Sequence, residues 1–239
     1  MDAVAIDLTL PGTPDAVWSP LVDSLPPFAW PACDRVVVVA PHPDDETLGA
    51  GGLLATAIMA GLPTLVVSVT DGEAAGPDPL LAERRASELR AALDELAPGG
   101  GVEVLRLGLP DGGVASAEPE LELALTPIIT SGDLVICPLA DDGHPDHEAC
   151  ARAAGRVCRR LAAALRAVPI WAWHWHDPDD SDIASGERLL LGPTARERKQ
   201  RAIQRYQSQL EGADPVVPAF MLSRLDRAVE VLVRPGWSR

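Results

Sequence analysis

The stretch RVVVVAPHPDDE, residues 35–46, joins a run of four valines to a dense group of polar side chains. The valines, closed by Pro41, favour a strand that is buried on both faces, as strands of parallel sheets are. Similar apolar runs occur at residues 63–70, 102–107 and 133–139, and longer helical patterns separate them. This alternation predicts an α/β fold: a doubly wound, Rossmann-like, mostly parallel sheet with helices on both faces.

The remaining elements continue this alternation. A helical pattern follows the HPDDE segment to about residue 60, and further helices are predicted at residues 80–97, 118–130, 147–168 and 194–210. Strands are predicted at residues 169–176 and 228–233. The first 30 residues carry five prolines and no clear periodicity. We therefore expect an N-terminal arm, residues 1–34, packed on a single domain that spans residues 1–239.

The run PIWAWHWH at residues 169–176 leaves two alternatives open. As a strand, it would place its three tryptophans on one face and His174 and His176 on the other. The tryptophans could pack beneath helices and serve only the core. Alternatively, His176 or a tryptophan lines a ligand pocket, because ligands gather at the carboxyl ends of parallel strands.

Composition limits the classes of partner. The chain has 35 acidic and 20 basic residues, which gives a formal net charge of -15. This charge repels phosphate backbones and anionic lipid, so we expect no nucleic acid or membrane partner. The four cysteines show no CxxC spacing, and the acidic N-terminus does not resemble a secretory signal. We expect a reduced, cytoplasmic protein, and the oligomeric state is left undetermined.

Three of the five histidines lie in two short polar segments, HPDDE at residues 42–46 and HPDH at residues 144–147. Each segment follows a predicted strand, and such sheets bind their ligands at the carboxyl ends of the strands. Imidazole and carboxylate side chains together suit Zn²⁺ or a similar divalent ion. The two segments therefore predict one metal site.

Spacing within the segments selects the ligands. His42 and Asp45 are three residues apart, which at the start of a helix can bring both side chains to one side. His147 would approach from the second segment, and three protein ligands leave a fourth position open to water, as in catalytic zinc sites. Asp44 cannot easily point the same way as its neighbour Asp45. It is therefore free to act as a general base.

Each segment alone has a simpler explanation. The acids of HPDDE could cap a helix N-terminus, and HPDH could form a solvated turn. Two such segments at strand exits of one sheet favour the metal site. The glycines that follow, Gly49, Gly51 and Gly52, do not form the GxGxxG pattern of dinucleotide-binding loops, so we interpret them as sites of close helix packing.

Several segments together carry a family resemblance. Residues 40–52, APHPDDETLGAGG, resemble the signature of LmbE-like or PIG-L-type deacetylases, and HPDHEA at residues 144–149 resembles the second element of that family. Further similar segments follow in the family's order: TDGE at 70–73, the pair Arg85 and Glu88, LGLPDGG at 107–113 and KQRAIQRYQSQ at 199–209. Members are zinc-dependent enzymes that remove acyl groups from substrates containing N-acetylglucosamine.

The resemblance implies roles for individual residues. It implies His42, Asp45 and His147 as the ligands of one Zn²⁺ per chain, with another divalent ion as the alternative. It implies Asp44 as the general base. His144 would lie near the scissile carbonyl, either as an electrophile or as the acid that protonates the leaving amine.

Substrate contacts are implied in the same way. Arg85 and Asp111 match family positions that contact the sugar. At the position of Asp142, some family members carry a tyrosine that moves over the substrate, and this chain lacks that group. A contribution of such a tyrosine is therefore not expected.

The leading functional prediction is a zinc-dependent N-deacetylase, a hydrolase that removes an acetyl group from an N-acetylglucosamine-type sugar or glycoconjugate. One alternative is a hydrolase of another amide or ester bond on the same fold, since the pocket decides the substrate. Another is a non-catalytic sugar-binding module, which the full set of ligands and base argues against. The natural acceptor and the acyl group are left open.

Overall fold

The computed structural model describes residues 12–236 of the chain. Its central sheet has five strands: β1 Arg35–Ala40, β2 Thr64–Thr70, β3 Val102–Leu109, β4 Asp133–Pro138 and β5 Ala164–Val168. Neighbouring strands pair in parallel, in the order β3-β2-β1-β4-β5. The order of the strands reverses between β1 and β4, which makes this gap the switch point where such sheets bind ligands.

Helices surround the sheet. Within the described residues they are α1 Asp15–Ser24, α2 Asp45–Met59, α3 Leu81–Leu96, α4 Glu118–Leu125, α5 Pro145–Leu161, α6 Ala172–Trp175, α7 Pro193–Ile203, α8 Gln207–Leu210 and α9 Ala219–Leu225. Short 3₁₀ turns lie at Glu73–Ala75, Pro178–Asp180 and Asp182–Ser185. A separate antiparallel pair joins β6 Glu187–Leu190 to β7 Val229–Leu232. None of the helices among residues 12–236 has the length and apolar character needed to cross a membrane.

Alternating side chains of the central strands build two apolar cores. In β1, Val37 and Val39 pack with buried residues of α4 and α5, whereas Val36 and Val38 pack with those of α2, α3 and α7. All four valines are at most 3% exposed. Successive side chains of a strand point to opposite faces, so helices cover the sheet on both faces. The predicted doubly wound α/β fold is confirmed.

Helix α5 is shorter than predicted. The sequence analysis placed one helix at residues 147–168, but Ala162 adopts a left-handed conformation with φ 57° and ends the helix after Leu161. The small-residue stretch that follows forms β5, which the sequence pattern did not indicate. The helix predicted at residues 194–210 is likewise divided into α7 and α8.

The strand predicted at residues 169–176 is wrong. The backbone N–H groups of Ile170, Trp171 and Ala172 do not join a sheet ladder, because all three donate to the carboxylate of Asp142 at 2.8–3.1 Å. The chain turns at this point and continues into α6. The expected separation of tryptophans and histidines onto two strand faces therefore does not occur.

The predicted N-terminal arm is described only in part, because residues 1–11 lie outside the described residues. In the described part, α1 buries Trp18 completely. The indole Nε1 of Trp18 donates to the carbonyl of Trp173 at 2.9 Å, and the two rings meet edge to face at 5.0 Å. Helix α1 is thus joined to α6, and the single-domain organisation stays a prediction.

Helix α2 is interrupted in its middle. Ala50 leaves the helical conformation, with φ -137° and ψ 15°. A buried ion pair of 2.7 Å between Lys199 and Glu230 lies against this interruption. Lys199 donates to a backbone carbonyl of α2, and Glu230 accepts the backbone N–H groups of Gly52 and Leu53. The ion pair therefore satisfies backbone groups in a helix that begins with a predicted metal ligand.

The glycines of this helix allow close packing, as the sequence analysis expected. A Cβ atom on Gly49 would lie 2.7 Å from the side chain of Val168. A Cβ atom on Gly52 would lie 2.4 Å from Leu191 and 3.0 Å from Glu230. Neither position has room for a methyl group in a core packed to ordinary density.

Gly52→Ala should lower the free energy of unfolding by about 1–3 kcal/mol, because overpacking a filled core costs this much. Gly76→Ala is the matched control, since its Cβ would meet only Leu81, at 3.7 Å, and its backbone is extended. We expect the control to change the free energy of unfolding by less than about 0.5 kcal/mol. Urea unfolding of both variants measures the difference, and equal stability would contradict the close packing.

Candidate metal centre

The two polar segments meet at the switch point of the sheet. One segment lies between β1 and α2, and the other lies between β4 and the start of α5. Strands β1 and β4 are hydrogen-bonded neighbours, so their carboxyl ends present both segments to the same space. The topology thus brings together His42 and His147, which are 105 residues apart in sequence.

Three side chains converge on one point, and their three donor atoms are called the donor triangle below. Nδ1 of His42 lies 3.1 Å from Oδ2 of Asp45, and Nε2 of His147 lies 3.2 Å from the same oxygen. The two nitrogen atoms are 3.3 Å apart. A tetrahedral Zn²⁺ with bonds of about 2.1 Å needs donor separations of about 3.4 Å. The donor triangle therefore fits such an ion in both chemistry and size.

A second grouping of possible ligands, His42, His144 and Asp146, shares His42 with the donor triangle. Asp146 is engaged elsewhere, because its two oxygens accept the backbone N–H groups of Gly112 and Val114 at 2.8 and 3.1 Å. The donor triangle is thus the better site for an ion, and it contains the three ligands predicted from the sequence.

Asp142 contacts the side of the His147 ring that faces away from the donor triangle. Its carboxylate is fully buried and lies 2.7 Å from Nδ1 of His147, which leaves Nε2 facing the donor triangle. Such carboxylate partners fix the orientation of a ligating imidazole and raise its basicity. The sequence analysis assigned no role of this kind to Asp142. The contact depends on the fold of the loop after β4, and only the presence of an acid five residues before a ligand histidine could have suggested it.

The charges around the donor triangle favour a cation. Burial alone would lower the pKa of His42, but three aspartates, Asp111 foremost, raise it well above its ordinary value. Burial would also lower the pKa of His147, but Asp45 and Asp142 raise it to about 9. Burial would raise the pKa of Asp45, but the two histidines hold it well below its usual range. A bound cation would replace protons on the histidines, so its affinity falls as the pH falls.

Asp44 lies beside the donor triangle without belonging to it. Its Oδ1 is 3.2 Å from Nη2 of Arg85, and both side chains are buried. Burial raises the pKa of Asp44 to about 6, although Arg85 opposes the shift. The backbone N–H of Asp44 donates to Glu46 at 3.2 Å, and Glu46 also accepts the hydroxyl of Tyr206. Asp44 is thus held in place with a pKa that suits a general base near neutral pH.

His144 caps the N-terminus of α5 and lines the cavity next to the donor triangle. Its Nδ1 accepts the backbone N–H of Asp146 at 3.2 Å, so the proton of the neutral ring lies on Nε2. Burial, followed by the charges of His147 and His42, lowers the pKa of His144 to about 3. These contacts favour a neutral imidazole that donates from Nε2.

A cavity of about 270 Å³ lies beside the donor atoms, and Arg85 and Asp111 line it. Arg85 already donates to two backbone carbonyls and contacts Asp44. Asp111 accepts the backbone N–H of Ala74 at 2.8 Å and lies 3.2 Å from Nε2 of His42. The structure places both predicted substrate contacts at the cavity, and their contact with a sugar stays a prediction.

The tryptophan run contributes to the same cavity. Trp171 lines it together with its neighbour Ile170. His176 is not among the described residues that line it, and its Nε2 lies 2.8 Å from the carbonyl of Asp141 instead. Of the alternatives left open by the sequence, the structure therefore favours a tryptophan in the pocket wall.

Gln209 is a cavity residue that the sequence analysis did not single out. Its Nε2 donates to the hydroxyl of Ser208 at 2.9 Å, and that hydroxyl donates to Glu88 at 2.6 Å. Because Glu88 takes the only hydroxyl proton, the amide must turn its nitrogen to Ser208 and leave its oxygen free. Within the described part of the chain, Oε1 of this buried side chain has no hydrogen-bond partner. This oxygen has almost no accessible surface, so it is an unpaired group within the cavity wall and not an acceptor open to the cavity.

Comparison with family models matches residues 37–158 to PIG-L, described as GlcNAc-PI de-N-acetylase. The match covers just over half of the 239 residues and includes the whole donor triangle. The chain belongs to the PIG-L family. The resemblance drawn from the sequence segments is thereby confirmed. Comparison with curated proteins gives no match for this PIG-L chain.

Solved structures support the same fold for this PIG-L chain. The conserved protein TT1542 from Thermus thermophilus is 27% identical with a TM-score of 0.63, over 87% of this chain and 99% of that one. The zinc inhibited form of teicoplanin deacetylase Orf2 is 22% identical with a TM-score of 0.64, over 85% and 100%. N,N'-diacetylchitobiose deacetylase from Pyrococcus horikoshii is 20% identical with a TM-score of 0.60, over 82% and 77%. Because the last two structures are only 22% and 20% identical, their similarity shows a shared fold and nothing more.

Asp142→Asn should weaken Zn²⁺ binding by about 10- to 100-fold, because an amide makes the imidazole of His147 less basic than a carboxylate does. Asp141→Asn is the control, since that neighbouring side chain is 46% exposed and approaches His176 instead of His147. Competition with a chelator gives the affinity for both variants, and circular dichroism checks their folding. A folded Asp142→Asn variant with the affinity of the control would show that Asp142 does not support the metal site.

Proposed function

We propose that this PIG-L family protein is a metal-dependent hydrolase that removes an acyl group, acetyl in the simplest case, from the nitrogen of an N-acetylglucosamine-type sugar or glycoconjugate. The observation that carries the proposal is the position of Asp44. A buried carboxylate with a pKa of about 6 lies beside three metal donors without being one of them. This arrangement supplies a general base next to an ion site, which hydrolysis of an amide requires.

Zn²⁺ is the proposed ion, held by His42, Asp45 and His147. When bound there, it would polarise the amide carbonyl and make a water molecule more acidic. Asp44 would accept the proton of the attacking water. His144, which carries its proton on Nε2, would donate a hydrogen bond to the carbonyl oxygen as negative charge develops on it.

The proton taken up by Asp44 can then pass to the leaving amine. The low pKa of His144 argues against an imidazolium as the acid for this step. Asp44 therefore fits both proton transfers, because a carboxyl group with a pKa of about 6 gains and loses a proton readily near neutral pH. In this proposal Arg85 keeps the carboxylate oriented through its 3.2 Å contact.

The size and polarity of the cavity support a single sugar ring. Its volume of about 270 Å³ lies just below the range of ligand pockets, which is about 300–1,000 Å³. Asp111 offers carboxylate oxygens that can accept hydrogen bonds from hydroxyl groups. The alternative of another amide or ester bond uses the same ion and base. Amine release from a panel of N-acetyl sugars, compared with acetate release from O-acetyl sugars, distinguishes the two.

Asp44→Asn should keep one metal ion per chain but lower kcat by roughly 10²- to 10⁴-fold, because it removes a general base and not a ligand. His147→Ala should lose most of the metal, because it removes a ligand. Elemental analysis of both purified variants and amine release from N-acetylglucosamine measure these effects. Wild-type turnover in Asp44→Asn would place the base elsewhere, with Glu46 the next candidate.

A further inference from the structure

Asp44 stands where an aspartate normally caps a helix. It directly precedes α2, and an aspartate at this N-cap position ordinarily accepts a backbone N–H group of the first turn through its carboxylate. Here the side chain makes no capping hydrogen bond. Its Oδ1 lies 3.2 Å from Arg85 instead, and the residue lines the cavity. A carboxylate that capped α2 would be turned toward the helix, so its use as a base depends on the absence of this cap.

Glu46 bonds to the start of the helix in place of that carboxylate. Its Oε2 accepts the backbone N–H of Asp44 at 3.2 Å, and the same N–H donates to the carbonyl of His42 at 3.0 Å. Glu46 is fully buried, yet among the described residues it belongs neither to the possible ligand groups nor to the lining of the cavity. Its hydrogen bond to the backbone of Asp44 therefore connects it to the reacting groups.

Tyr206 and Thr47 hold Glu46 in turn. Both hydroxyl groups donate to Oε1 of Glu46, and the two hydroxyl oxygens lie 3.2 Å from each other. All three side chains are at most 1% exposed. A buried carboxylate is costly unless it is hydrogen-bonded, and donors on both of its oxygens offset that cost. Because Tyr206 comes from 160 residues away, a tertiary contact fixes a side chain in the first turn of α2.

Tyr206 belongs to residues 199–209, a segment that the sequence analysis singled out and that the proposed mechanism does not use. Lys199 of this segment bonds to a carbonyl of α2, and Ser208 bonds to Glu88 of α3. Tyr206 lies between them in sequence and bonds to the start of α2. The segment therefore braces the helix that follows Asp44 and the helix that carries Arg85.

We propose that Tyr206 and Glu46 are positioning residues for the general base. They fix the backbone at Asp44, so that its carboxylate faces the ion site instead of capping α2. The inference rests on the proposed function, in which Asp44 accepts the proton of the attacking water. A fixed orientation raises kcat, because a small displacement of a reacting group lowers the rate.

Tyr206→Phe removes one hydroxyl group and keeps the ring in the core. It should lower kcat for N-acetylglucosamine about tenfold, because Asp44 loses part of its fixed orientation, while KM and Kd for Zn²⁺ stay within about threefold. Ser68→Ala is the matched control, since it removes a buried hydroxyl that donates to the carbonyl of Thr70 at 3.0 Å. The control should keep the kcat of the wild type. Steady-state kinetics and competition with a chelator measure both variants.

Two substitutions of Glu46 separate positioning from chemistry. Glu46→Gln keeps an oxygen that can accept the N–H of Asp44, and its amide nitrogen can donate to the two hydroxyl groups, so kcat should stay within about threefold. Glu46→Met has a similar length without an acceptor and should lower kcat at least as much as Tyr206→Phe. Glu46→Met combined with Tyr206→Phe should be no slower than Glu46→Met alone, because both remove the same contact. If Tyr206→Phe does not fold, the comparison of Glu46→Gln with Glu46→Met decides.

Hydrogen exchange of the metal-loaded protein tests the contact without turnover. NMR measures the protection of the backbone amide of Asp44, which should fall at least about threefold in Tyr206→Phe, because its acceptor is held less firmly. The amide of Val38, in the buried strand β1, should keep its wild-type protection.

Four outcomes overturn the inference: an unchanged kcat in Tyr206→Phe, an affinity for Zn²⁺ that falls as much as kcat does, an equal loss of kcat in Ser68→Ala, or a Glu46→Gln variant as slow as Glu46→Met. A wild-type protein that releases no amine overturns the proposed function instead. The exchange at Asp44 then still decides whether Tyr206 and Glu46 fix that residue.

Discussion

A buried carboxylate connects the parts of this site that come from different strands. Asp142 lies after β4, contacts His147 at the start of α5, and accepts three backbone N–H groups from the chain leaving β5. One residue thus orients a metal donor and turns the tryptophan run away from a strand into a cavity wall. An unpaired buried carboxylate is costly, and here the four contacts offset that cost. If these contacts were lost, the donor triangle and the cavity wall at Ile170 and Trp171 would both lose their position.

Helix α2, which begins at Asp45, depends on the buried ion pair between Lys199 and Glu230. Lys199 and Glu230 come from late in the chain, and they bond to backbone groups in the middle of α2. The glycines after HPDDE are needed because Leu191 and Val168 approach the helix closely. The signature segment at residues 40–52 therefore combines two requirements: HPDDE provides chemistry, and the glycines provide room for later elements of the fold.

The sequence alone was sufficient to predict strand β1 and the place of the polar residues that follow it. Val36 to Val39 are buried on both faces, so their strand could be recognised without tertiary information, and the polar residues at its end could be placed at the switch point. The stretch ALRAV of β5 contains one β-branched residue, and its strand is stabilised by pairing with β4. It was therefore assigned to the preceding helix. The tryptophan run has the alternation of a strand, but the contacts of Asp142 determine its conformation.

The role of Asp142 could not be derived from spacing, because it depends on partners from a distant segment. The donors and the base all lie within residues 42–147, inside the stretch that matches the family. Most of the apolar residues that line the cavity come from residues 170–225, after that stretch ends. The later segment nevertheless reaches the ion site, because residues 170–172 donate to Asp142 and Tyr206 donates to Glu46. The part of the chain that fits the family model thus holds the reacting groups, while contacts that keep those groups in position come from beyond it.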